Sequence, residues 1–103
     1  MRFLVKAATP TEGGNALIRK GKLGETIQGI LAELKPEAVY FTAESGKRTI
    51  YLVVDLPDAS HLPRVAEPFF LAFNATVEFH PTMTAEDLTK AGPDIERAVK
   101  KYS

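Results

Sequence analysis

The chain has 103 residues, and 13 Lys and Arg balance 13 Asp and Glu to a formal charge of zero. That length suits one domain with a thin core, and the balanced charge argues against a nucleic-acid partner, which normally meets a basic footprint. Fractions of 45% hydrophobic and 25% charged residues exclude wholesale disorder, and the lack of cysteine excludes disulfides, a thiolate nucleophile and a Cys-based zinc site.

Residues 2–8 read as a strand, apolar apart from Arg2 and Lys6. Pro10 and the cluster Thr11-Glu12-Gly13-Gly14-Asn15 end it, because these residues favour turns and caps. The spacing of Leu23, Ile27, Ile30, Leu31 and Leu34 predicts a helix over about residues 15–34, closed by Pro36. Gly21, Gly24 and Gly29 each cost ~1 kcal/mol relative to alanine within it, and so mark close packing or a break. Residues 38–43 and 49–54 are rich in β-branched and aromatic side chains and predict two strands, joined by a hairpin through Glu44-Ser45-Gly46-Lys47. Asp58 and Ser60 offer capping oxygens for a second helix carrying Leu62, Val65, Phe69 and Phe73. Pro68 should kink that helix or split it.

A strand over residues 75–81 alternates, with Val77 and Phe79 on one face and Thr76, Glu78 and His80 on the other. Thr84-Ala85-Glu86-Asp87 resembles a capping box with Asp in the usual Glu place, opening a short helix that Gly92-Pro93 stops. Residues 94–102 predict a last helix with Ile95 and Val99 on one stripe, acids at its start and lysines at its end. The expected division is a domain over residues 1–92 and a helical tail over residues 93–103. The opening residues place a basic side chain after only three apolar ones, unlike a signal peptide. No apolar run is longer than residues 50–54, far below the ~18 needed for a span. A cytoplasmic protein with no membrane partner is the expectation.

The order strand, helix, strand, strand, helix, strand is the split βαβ or ferredoxin-like α+β arrangement, with a four-stranded antiparallel sheet covered by helices on one face. The outer strands partly alternate, as a half-solvated sheet requires. Phe3-Leu4-Val5 and the run from Ile50 to Val54 do not, so the second face needs cover. A nine-residue helix with one apolar stripe is small cover for four strands, which favours a self-complementary C2 dimer stacking sheet on sheet.

This arrangement, together with the segment from Pro68-Phe69 to Val77-Glu78-Phe79-His80-Pro81, resembles the dimeric α/β-barrel superfamily, and within it the small muconolactone-isomerase type and related stand-alone proteins. The likeness covers about residues 1–90 and consists of an aromatic helix followed by an alternating strand ending in proline. No catalytic motif of the family maps onto individual residues, and none is carried over. The resemblance implies a homodimer with a barrel between its subunits, in a superfamily that includes isomerases, heme-binding proteins and cofactor-free monooxygenases.

Glu78 and His80 are the first candidates for chemistry: two apart on a strand, they share a face, and a carboxylate can orient an imidazole for proton transfer at neutral pH. An exposed polar edge is the plainer account of the same pair. Lys6 has the opposite strand parity to Phe3 and Val5 and could face a ligand, or simply pair with a carboxylate across the sheet. Tyr40 and Tyr51 could offer hydroxyls to a ligand, although buried tyrosines commonly hydrogen-bond at their tips. His61 beside Asp58 reads as a solvated cap residue. No metal site is expected, because the two histidines lack a ligand spacing, and heme would have only His61 or His80 as an axial ligand; no cofactor is expected. Gly13-Gly14 lacks a phosphate-loop pattern. Lys47-Arg48 and Arg19-Lys20-x-Lys22 read as solvated basic clusters.

Three functions fit these readings. The first is a homodimeric protein that binds a small organic molecule between its subunits. A cofactor-independent isomerase or monooxygenase, acting on a small aromatic or lactone substrate through Glu78 and His80 or a tyrosine, is the second. The third is a structural or interaction protein whose barrel is filled by Phe3, Leu4, Tyr40, Phe41, Tyr51 and Leu52.

Overall fold

A computed structural model describes all residues from Met1 to Ser103. Four strands form one antiparallel sheet: β1 (Arg2–Ala8), β2 (Ala38–Glu44), β3 (Lys47–Asp55) and β4 (Thr76–Pro81). Their spatial order is β2-β3-β1-β4, with every neighbouring pair antiparallel. Between the strands lie α1 (Thr11–Arg19), α2 (Leu23–Leu34) and α3 (Leu62–Phe73), and after them α4 (Ala85–Lys90) and α5 (Gly92–Tyr102). This is the ferredoxin-like topology that the element order predicts.

Strand parity decides which side chains meet the helices. Val5 and Ala7 of β1 and Ile50, Leu52 and Val54 of β3 are buried, and pack with Ile30 of α2 and Val65, Phe69 and Phe73 of α3. Phe3 belongs to this side too, meeting the ring of Phe79 edge to face at 5.8 Å. The intervening residues Leu4, Lys6, Tyr51 and Val53 point to the opposite face, and each is only partly buried. The hydrophobic core therefore lies entirely between sheet and helices.

Three local features depart from the expected elements. The first helix is two, α1 and α2, separated at Lys20–Lys22 where Gly21 takes φ +68°, a conformation that glycine adopts without steric cost. The hairpin turn is tighter than expected: only Ser45 and Gly46 lie outside the strands, both with positive φ, the mirror-image geometry that matches strand twist. Pro68 does not split α3, which runs unbroken over 12 residues. Val65, Ala66, Phe69 and Phe73 are all buried along one side, and this anchoring outweighs the single backbone hydrogen bond that proline cannot donate.

The C-terminal helices do not fold over the bare sheet face. Thr84 and Asp87 form the reciprocal capping box that opens α4, but Leu88, Ile95, Val99 and Tyr102 are all exposed. The molecule is correspondingly long, 59 × 28 × 20 Å.

Candidate functional site

The helix-free face of the sheet gathers the polar residues that the sequence singles out. The strand register sets Tyr40 opposite Tyr51, Tyr51 opposite Lys6, and Lys6 opposite Glu78. These four residues form one row across all four strands, and with strands ~4.8 Å apart the row spans roughly 15 Å. His80 lies two residues beyond Glu78 on the same face, opposite Leu4.

Lys6 is the hub. Its ammonium forms an ion pair with Glu44 and a second, at 3.6 Å, with Glu78. The Tyr51 hydroxyl donates to Glu44 Oε1, and His80 Nε2 stands 3.8 Å from Glu78 Oε1. Five side chains from all four strands thus form one chain of contacts. Tyr40, although in the row, is 70% exposed and makes no side-chain hydrogen bond. It provides an open aromatic surface at the edge.

The protonation states follow from these contacts. Glu44 is held below its usual value by the Lys6 ammonium and then by the Tyr51 hydroxyl, and is an anion at neutral pH. Lys6 is raised, chiefly by its hydrogen bond to Glu44, and stays charged. Tyr51 is pushed up by donating to Glu44 and by partial burial. It can therefore donate a hydrogen bond but is a poor base. A ligand on this face would meet a fixed cation, a neutral hydroxyl, and a carboxylate beside an imidazole.

Sequence reasoning placed Glu44 in the hairpin connection and missed it. The signal was available: Tyr40, Thr42 and Glu44 are spaced by two and share a face if the strand continues one residue further. His61 stays apart from this cluster, with Nδ1 3.5 Å from Asp58, the carboxylate that caps the turn through the Ser60 amide at 2.9 Å. The bare face is also less apolar than the sequence suggests. Of the six bulky residues expected to fill a barrel, Phe3, Phe41 and Leu52 lie on the helix-side parity, leaving Leu4, Tyr40 and Tyr51.

Two concave sites exist within the single chain, of about 240 and 170 Å³. Neither touches this row, and neither reaches the ~300 Å³ that a drug-sized ligand needs. The row is an open surface until something faces it.

No family model and no curated protein matches the sequence. Among solved structures, the fold is similar to that of 5-chloro-2-hydroxyhydroquinone dehydrochlorinase (TftG) from Burkholderia phenoliruptrix AC1100, a structure in complex with 2,5-dihydroxybenzoquinone. The TM-score is 0.60 at 17% identity, over 84% of this chain and 99% of that one. The fold is ferredoxin-like α+β. At that identity the likeness carries the fold alone. No helix of the chain is long and apolar enough to cross a membrane.

Proposed function

We propose that the chain acts as a homodimer that binds a small organic molecule between two stacked sheets, with Lys6, Tyr51, Glu78 and His80 facing the ligand and Tyr40 at its edge. The observation that carries this reading is the row on the uncovered face: a half-buried lysine tied to two carboxylates, flanked by Leu4 and Val53. Ion pairs left on a wet surface contribute little, whereas the apolar flanks gain ~25 cal/mol per Å² when covered. Sheets stack about 10 Å apart. Two identical charged clusters brought face to face at that distance need a polar or hydrated guest between them, which argues against a solid barrel. A small oxygenated ring suits such a space, and the quinone named with TftG makes that class the natural probe.

A second reading follows from the carboxylate–imidazole pair. Glu78 can orient His80 to move a proton on the bound molecule, with the Lys6 ammonium beside a developing oxyanion and no cofactor taking part. This is the cofactor-independent isomerase or monooxygenase alternative, and it uses the same site.

Sedimentation equilibrium at micromolar concentration is the first test, and it is expected to give twice the 11.3 kDa of the chain. In the dimer, titration with 2,5-dihydroxybenzoquinone should shift the Lys6 and Tyr51 amide resonances saturably, and Lys6→Met should weaken that binding about tenfold or more. A chain that stays at 11.3 kDa, or a dimer whose sheet-face resonances ignore the quinone, overturns the proposal. Unchanged turnover in His80→Ala would remove the proton-transfer role and leave binding alone.

A further inference from the structure

The helix side of the sheet holds a second site, unrelated to the row. A cleft of about 170 Å³ opens between α2 and the β2–β3 hairpin, walled by Leu23, Ile27, Phe41, Ile50 and Phe73. Arg48 is the only charged residue that lines it. The sequence places Arg48 at a solvated hairpin tip, but its strand parity turns it under α1 instead. There it is half-buried, and its Nη2 donates to Asn15 Oδ1 at 2.9 Å.

Arg48 takes part in none of the ion pairs of the chain. A guanidinium carries five N–H donors and cannot shed its charge, and a half-buried one with no counter-ion keeps donors open to an anion. Asn15 is neutral and satisfies one donor. Gly14 has made room for this: a Cβ there would stand 2.7 Å from Arg48 Nη1 and 3.5 Å from its Cδ. The chain thus holds an unpaired cation at the side of an apolar cleft. Thr9, Thr42 and Thr49 complete the lining.

We infer that this cleft binds a small aromatic carboxylate, its ring between the apolar walls and its anion on the free edge of Arg48. The size fits, since an apolar cavity of roughly 150 Å³ accommodates benzene. A carboxylate matches the planar fork of arginine with two parallel hydrogen bonds. No acid lines the cleft to repel it.

Benzoate is the probe, with benzamide as its uncharged counterpart, followed by amide chemical shifts in the intact protein. Benzoate is expected to shift Thr9, Ile27 and Thr49 saturably, and benzamide to bind at least tenfold more weakly. Arg48→Met should reduce benzoate to the benzamide level. Gly14→Ala, which displaces the guanidinium without removing its charge, should weaken benzoate severalfold while leaving benzamide unchanged. Because the cleft is complete in one chain, benzoate affinity should not vary with protein concentration across any dimerisation range, which separates this site from the sheet face. Equal affinity for benzoate and benzamide, or no saturable shift at these amides, overturns the inference.

Discussion

Lys6 is the residue on which the sheet-face cluster depends, and its linkage to pH can be worked out from directions alone. Glu44 is held below its ordinary 4.5 by Lys6 and Tyr51, so the unfolded chain binds more protons in mild acid. Its contribution is present above the unfolded value and is lost as pH falls through the lower folded one. Lys6 is raised above its ordinary 10.5, so its contribution is complete below that value and lost as pH rises through the higher folded one. The pair is therefore level across neutral pH and decays at both ends. Between pH 5 and pH 3 the urea midpoint of the wild type should fall more steeply than that of Lys6→Met. Parallel slopes would show that the pair adds nothing to stability. At this scale the sequence revealed half of what matters. Parity alone put Glu78 with His80 and set Lys6 apart from Val5. It could not show that Tyr40, Tyr51, Lys6 and Glu78 fall in one row, because register between distant strands depends on pairing that no local pattern encodes. Arg48 was misread for the same reason: a basic dipeptide beside a turn looks solvated until the strand is known to include it.

Among the elements, the departures from expectation arise where local propensity competes with packing. Gly21 resolves a long helix into two because its positive φ lets the chain reverse between α1 and α2. Pro68 shows the opposite outcome, with packing overriding a strong breaker. A proline inside a helix is ~3 kcal/mol less favourable than alanine, and the part of that cost not offset by burial of its ring should be recoverable. Pro68→Ala is accordingly expected to stabilise the protein by about 1 kcal/mol, raising the melting temperature by roughly 4–8 °C for a domain of this size. A lower melting temperature would mean that the half-buried proline ring contributes more to packing than the helix loses. Asn74, at φ 52°, ends α3 in the left-handed conformation that asparagine tolerates, a stop readable from sequence. Lys35 ends α2 in the same way at φ 46°, and nothing about a lysine signals it.

For the molecule as a whole, apolar side chains left without cover lie on different parts of the chain. The sheet offers Leu4, Val53 and Tyr40, while α5 offers Ile95, Val99 and Tyr102. The topology was legible because hydrophobic period and turn residues change together along the chain. The direction of the tail was not, since a single stripe of three residues fits any apolar surface within reach. That helix does not pack on its own sheet, and a 59 Å long molecule holds it clear of the body. A helix of 11 residues with an apolar stripe and no partner is unstable in water, so a proposed dimer has to account for it. If the tail of each copy rests on the other, burial of Ile95 and Val99 contributes ~1.5–3 kcal/mol apiece. The double variant Ile95→Glu, Val99→Glu would then weaken dimerisation by a hundredfold or more at ~1.4 kcal/mol per factor of ten, while the β-sheet retains its amide protection. An unchanged dissociation constant, measured by sedimentation over a dilution series, would assign the interface to the sheet face alone.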